Sequence, residues 1–223
     1  MSLLPQYRHI VNPKLKHIYL SFDERGELLI KSPKVSLRKI EQLLLKKASW
    51  IEKSRVKLQQ RKGKSLDFSN NPTLYFMGEA YPFLLQEHSK KKTQLVFDEK
   101  HFTLFYHRYD EILFQKHVDD FYKREAKKYI PSWVTLWAEK MSLSPLEIRF
   151  RKAKRQWGSC SAKNVLTFNS MMMKLPQDVI QYIIVHELAH IRHKHHQRSF
   201  WKEVETYLPA YRDRVKILKN YTI

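Results

Sequence analysis

The 223 residues carry 42 lysines and arginines against 22 acidic residues, a formal net charge of +20, and 43% of them are hydrophobic, an apolar share that supports a packed core and excludes a disordered chain. With only four glycines and one cysteine, phosphate-cradling glycine loops and an internal disulfide framework are excluded. No signal-type apolar stretch and no apolar run of about 20 residues is present, so the expectation is a soluble cytoplasmic protein with no membrane span.

In chain order, Tyr7–Val11, His17–Phe22 and Leu28–Lys31 read as short strands, separated by turn signals at Asn12-Pro13 and Arg25-Gly26. Ser36 is placed to cap one helix in which Leu37, Ile40, Leu43, Leu44, Trp50 and Ile51 keep helical spacing, running to about Gln60. The polar stretch from Arg61-Lys62-Gly63 to Pro72 reads as a linker, giving an N-terminal strand–helix region at 1–72 and a second domain at 73–223. There, Leu74–Leu85, Gln94–Asp98 and Phe102–His107 read as strands, and Asp110–Met141 as one long helix or two, interrupted near Pro131. Leu146–Phe150 and Val165–Phe168 read as strands flanking Trp157-Gly158-Ser159-Cys160-Ser161. Met171-Met172-Met173 reads as core filler. Pro176 fits the first turn of a helix through Val179–Ile191, and Phe200–Leu208 and Tyr211–Leu218 read as short closing helices.

The positive charge is spread, not gathered in a tail. Residues 1–100 hold 20 basic and 10 acidic residues and residues 101–223 hold 22 and 12, so each part is +10. Such a balance suits a nucleic acid, a nucleotide or an acidic substrate, and it equally suits a plain solvated surface.

Chemistry concentrates in His186-Glu187-Leu188-Ala189-His190. Residues four apart lie on one face of a helix, so His186 and His190 can grip one zinc ion from the same side. Glu187 beside them is placed as general base for a metal-activated water. Chance would produce this pattern roughly 0.03 times in a chain of this histidine and glutamate content. The run is apolar nearly all round, and burying two histidines and a carboxylate there without partners costs several kcal/mol, which a metal offsets. A third ligand is required: His196 ranks first, then Glu205 or Glu203, with His193 and His195 as solvated neighbours. Tyr207, Tyr211, Arg198 and Arg212 lie downstream as candidates for stabilising a developing oxyanion.

Trp157-Gly158-Ser159-Cys160-Ser161, Asn169, Pro176, Tyr182–His190, His196 and Phe200-Trp201 together resemble the YgjP-like metallopeptidase family. The match is dense from about residue 145 to 215 and looser before it; His195-His196-Gln197 stands where the family shows Asn-His-Ser. The resemblance implies an α+β, zincin-like core with the HExxH helix buried beside long helices and a small mixed sheet. It also implies His196 as the third metal ligand and kinship with SprT-like and WLM-type proteases that act on protein–DNA adducts. A smaller β-rich region with one helix precedes that core. Trp157–Ser161 reads either as a cleft rim whose backbone receives an extended substrate or as a turn in which Gly158 permits close packing.

The expectation is therefore a zinc-dependent hydrolase, a metallopeptidase first, acting on a peptide or protein substrate. Two alternatives stand beside it: a metal-dependent hydrolase of a nucleotide or other phosphorylated, anionic small substrate, and a DNA-associated protein with a structural zinc. Glu187 argues against the last, because a structural site has no use for a base.

Overall fold

The computed structural model describes residues 4–23, 26–60, 63, 66–70 and 72–223, and it divides into two compact units, 1–61 and 62–223. The break falls after Arg61, ahead of the boundary expected at residue 72. The reason is Phe68, which is buried against Phe83 and Phe114 with ring centroids 5.6 and 5.5 Å away and so belongs to the second core.

In the first unit β1 (Tyr7–Val11) pairs parallel with β3 (Leu28–Ser32), and β2 (Tyr19–Phe22) pairs antiparallel with the other side of β3. Alternation turns Leu28 and Ile30 to one face, where they join Ile40, Leu44 and Ile51 in a small core. The single helix expected over 36–60 is two, α1 (Leu37–Lys46) and α2 (Ala48–Gln60), broken at Lys47. One helix of that length would span about 37 Å, against about 17 Å for a five-residue strand. The break lets Ile51 reach the same core as Ile40 and Leu44. Ser36 stands at the N-cap of α1, although its side chain makes no capping hydrogen bond.

The second unit is built on α3 (Glu111–Met141), capped by the Asp110 carboxylate, which accepts from the Leu113 N–H at 3.1 Å. Pro131 sits inside this helix without interrupting it. A proline there costs about 3 kcal/mol, and the buried stripe on both sides of it, from Phe114 through Ile130 and Val134 to Met141, outweighs that. Against α3 packs a mixed sheet in the order β4 (Thr73–Phe76), β5 (Glu79–Glu87), β7 (Phe102–Tyr106), β6 (Gln94–Phe97). The strand expected over 74–85 is thus a hairpin, turned at Met77 and Gly78, both with positive φ. A second mixed sheet runs β8 (Glu147–Arg151), β10 (Val165–Asn169), β9 (Gly158–Cys160). The core has two mixed sheets where the sequence suggested one.

After β10 a 3-10 turn over Ser170–Lys174 buries all three methionines. Then come α4 (Gln177–Arg192), α5 (Arg198–Tyr207) and α6 (Tyr211–Leu218). Pro176 is the N-cap of α4 and not a residue of its first turn. The β4–β5 turn is seated beneath this start: Met77 N–H donates to the Met173 carbonyl at 2.8 Å, and a Cβ on Gly78 would meet Pro176 at 2.8 Å. Among the described residues, no helix is long and apolar enough to cross a membrane.

Candidate metal centre

Nine of the residues of α4 are buried, including Val185, Leu188 and Ala189 around the histidines and Glu187 itself. The helix is held by packing on all sides, so its side chains have little freedom. His186 and His190 project from one face, and the chain turns at His193 to bring His196 back over them. One nitrogen from each of the three rings lies within 4.8 Å of the other two. His196 Nε2 is 3.1 Å from His190 Nε2 and 3.1 Å from His186 Nε2. Phe200, fully buried, forms the floor beneath all three rings, with centroids at 4.8, 4.5 and 4.8 Å.

Hydrogen bonding fixes what these nitrogens can do. His190 Nδ1 lies 2.8 Å from the His193 carbonyl, which can only accept. Neutral His190 therefore carries its proton on Nδ1 and turns a lone pair on Nε2 toward the other two rings. Burial, reinforced by the neighbouring imidazoles, pushes His186 down to about 3, and burial likewise lowers His190. Neutral rings with Nε2 atoms facing one point form a donor set, since His196 Nε2 is shared and only one of the two contacts can be a hydrogen bond at once. Donors about 2.0–2.1 Å from a tetrahedral zinc sit roughly 3.3 Å apart, close to the spacing found.

The supporting contacts are specific. The Trp201 indole N–H donates to the His196 carbonyl at 3.0 Å. Trp201 stacks on Tyr211, Tyr211 stacks on Tyr182, and the Tyr182 hydroxyl is 3.4 Å from His186 Nδ1. Burial raises Tyr182 to about 12, so the phenol stays protonated.

Glu187 fits the same conclusion. Its Oε2 is buried with no hydrogen-bond partner among the described residues, and burial raises its pKa to about 8. A carboxylate so placed favours its neutral form unless a positive charge stands nearby, and a divalent cation beside it reverses that preference. These residues suit a divalent cation: three imidazole nitrogens lie within 4.8 Å of one another, and the carboxylate next to His186 in the chain keeps a buried oxygen without a partner among the described residues.

Gly158 completes the corner. A Cβ there would stand 2.7 Å from both Cγ and Oε1 of Glu187. Glycine at this point of β9 is what lets the carboxylate lie against the strand. The hydrogen bonds from Asn169 N–H to the Trp157 carbonyl and from Ser161 N–H to the Val165 carbonyl set the ladder phase. By the antiparallel alternation, Gly158 and Cys160 direct their backbone groups to the side away from β10, which is the free edge of the sheet. The Asn169 amide donates to the carbonyls of Ala153 and Gln156 and holds the loop entering β9.

Of the residues singled out from the sequence, His186, His190 and His196 come together, and Glu187 follows His186 on the same helix with its carboxylate against Gly158. Glu203 does not join them; it pairs with Arg192 at 2.6 Å and approaches His193 at 3.9 Å. Glu205 pairs with Arg212 at 2.7 Å. His195 and His193 face each other outside the donor cluster. Tyr211 is buried in the aromatic stack, and the Arg212 guanidinium pairs with Glu205. Cys160 stays a thiol: burial raises its pKa despite the nearby Lys194. The sequence reading missed Phe200 as the floor, Tyr182 one turn before His186, and Gly158 as the seat of Glu187. Tyr182 was within reach, because i and i+4 are neighbours on any helix.

Imidazoles closing on one point beside a buried carboxylate are the arrangement of a metal-dependent hydrolase. Comparison with protein families narrows the class: the chain belongs to the YgjP-like family, whose metallopeptidase domain matches residues 16–221, and it is an enzyme of the metallopeptidase class. Two solved structures are similar over part of it. One is the metallopeptidase zymogen of Pyrococcus abyssi abylysin, at 23% identity and TM-score 0.37, over 42% of this chain and 98% of that one. The other is the zymogen of Methanocaldococcus jannaschii jannalysin, at 23% and 0.37, over 40% and 94%. No curated protein matches.

Proposed function

We propose that the chain is a zinc-dependent peptidase in which His186, His190 and His196 hold the metal and Glu187 is the general base. The observation that carries this reading is the convergence of three Nε2 atoms on the helix that also carries Glu187, whose Oε2 is buried without a partner among the described residues. A zinc ion held there supplies a positive charge that lowers the pKa of water and polarises the carbonyl under attack. Glu187 takes the proton from the attacking water and delivers it to the departing amide nitrogen, which leaves as an amine. Burial makes it a willing base, and Gly158 leaves the space in which it lies. With Nε2 reserved for the metal, His186 carries its proton on Nδ1 and donates toward the Tyr182 oxygen.

The free edge of β9 supports a peptide as the substrate. The outward N–H and C=O groups of Gly158 and Cys160 match an extended chain added as a strand, and Gly158 touches Glu187, so a strand bound there passes the base. The test is zinc content of the full chain together with turnover of unstructured peptides and of nucleoside triphosphates, each with a chelator control. Chelator-sensitive peptide cleavage that Glu187→Gln abolishes while zinc remains bound is the expected result. Hydrolysis of the triphosphates alone would replace peptide by phosphate-anhydride chemistry, and a chain that takes up no zinc would end the proposal.

A further inference from the structure

The segment from Arg192 to Gln197, which carries His196 and supplies the carbonyl that orients His190, is fastened at Arg192 and Lys194 to different parts of the fold. On one side, Arg192 donates to Glu203 Oε1 at 2.6 Å, to the Met141 carbonyl at 2.9 Å and to the Ser142 carbonyl at 3.3 Å, so it ties α4 to the end of α3 and to α5. On the other side, the Lys194 ammonium donates to Asn164 Oδ1 at 2.7 Å, to the Ser161 carbonyl at 3.0 Å and to Cys160 Sγ at 3.5 Å. Those three partners belong to the end of β9 and the turn into β10. His193, whose carbonyl accepts from His190 Nδ1, lies between the two anchored residues.

We propose that Lys194 is a positioning residue that clamps the ligand-bearing loop to the β9–β10 turn and thereby holds His190 and His196 in register with the substrate edge. This rests on the metal-binding reading above. Lys194 reaches no ligand atom, so it acts through the His193 peptide. The position is unexpected on charge alone, because a cation near a divalent metal lowers its affinity by Coulomb repulsion. Positioning and repulsion thus predict opposite signs for removal of the ammonium, which makes the proposal decidable.

The experiment measures zinc affinity of the full chain by competition with a chromogenic chelator, and the absorption spectrum of the cobalt-loaded protein. Lys194→Met is expected to weaken zinc binding about tenfold, the low end for lost outer contacts of a metal site, and to alter the cobalt bands. Lys194→Arg should restore part of the affinity. Asn164→Gly removes one acceptor while keeping the positive φ of 59° at that turn, and should give a smaller loss of the same sign. Thermal unfolding of the metal-free variants separates a clamp from mere packing. A lower melting temperature with unchanged zinc affinity, or tighter zinc binding by Lys194→Met, overturns the clamp alone. Failure of the unaltered chain to bind zinc or cobalt overturns the clamp and the metal reading together.

Discussion

The two three-stranded sheets of this molecule share one plan and differ in what they do. In both, the third strand in sequence lies in the middle, parallel to the first and antiparallel to the second: β1-β3-β2 in the first unit and β8-β10-β9 in the second. Both middle strands are anchored by fully buried residues, Leu28 and Ile30 in one and Leu166 and Phe168 in the other. The antiparallel edge strand makes the difference. On β2, Leu20 and Phe22 turn side chains inward and fill the space beside the small core. On β9, Gly158 leaves that space empty, and Glu187 occupies it. A shared topology is only a frame; one absent Cβ and a helix buried on nearly every side convert it into a site.

Three substitutions, the second with a matched control, would break or sharpen that contrast, taken from the largest expected effect to the smallest. Glu187→Gln should cut peptide turnover by about 10²–10⁴, the usual contribution of general acid–base catalysis, with zinc content unchanged; full retention of turnover would dismiss Glu187 as base. Gly158→Ala should lower turnover by roughly ten- to a hundredfold and destabilise the fold by about 1–3 kcal/mol, as overpacking does. Its control in the sister sheet, Ser21→Ala at an exposed position of β2, should stay within about 0.5 kcal/mol and leave turnover alone. Equal effects at the two positions would erase the distinction drawn between the sheets. Trp201→Phe removes the donor to the His196 carbonyl and should weaken zinc binding about tenfold while the stack on Tyr211 persists.

A further test is stability against pH in the metal-free protein. His186 falls from 6.5 to about 3 on folding, so its contribution is present above pH 6.5 and is lost as pH drops toward 3. Glu187 rises from 4.5 to about 8, so its contribution is present below pH 4.5 and is lost as pH climbs toward 8. Melting curves across this range should show decline on both sides. Glu187→Gln should remove the decline between pH 5 and 8 and leave the acid side intact; an unaltered alkaline decline would mean that Glu187 is not its source.

Much of the centre was legible because its logic is local. His186, Glu187 and His190 are set by helical period alone, and His196 follows within a few residues. The strands of the first unit and the ends of α3 were equally plain, since turn residues and apolar spacing mark them. What stayed hidden depends on distant partners. Gly158 reads as a turn glycine until Glu187 is seen at 2.7 Å from its missing Cβ. The reach of Lys194 to Asn164 leaves no mark in either segment. The hairpin turn at Met77-Gly78 was masked because methionine resists the positive φ of 52° it adopts there, a cost that tertiary packing covers. The break at Lys47 follows from how small a core α1 and α2 must share, which no local signal records.

That same hairpin has a practical consequence for anyone wishing to graft a tag, an epitope or a sensor domain into this enzyme. A β-hairpin tip is ordinarily the safest insertion point in a protein. Here the Met77-Gly78 tip is wedged under Pro176, where α4 begins, and a graft would lever the helix that presents the histidines. Another connection of that sheet, residues 88–93 with exposed Lys90, Lys91 and Lys92, offers the harmless splice site instead.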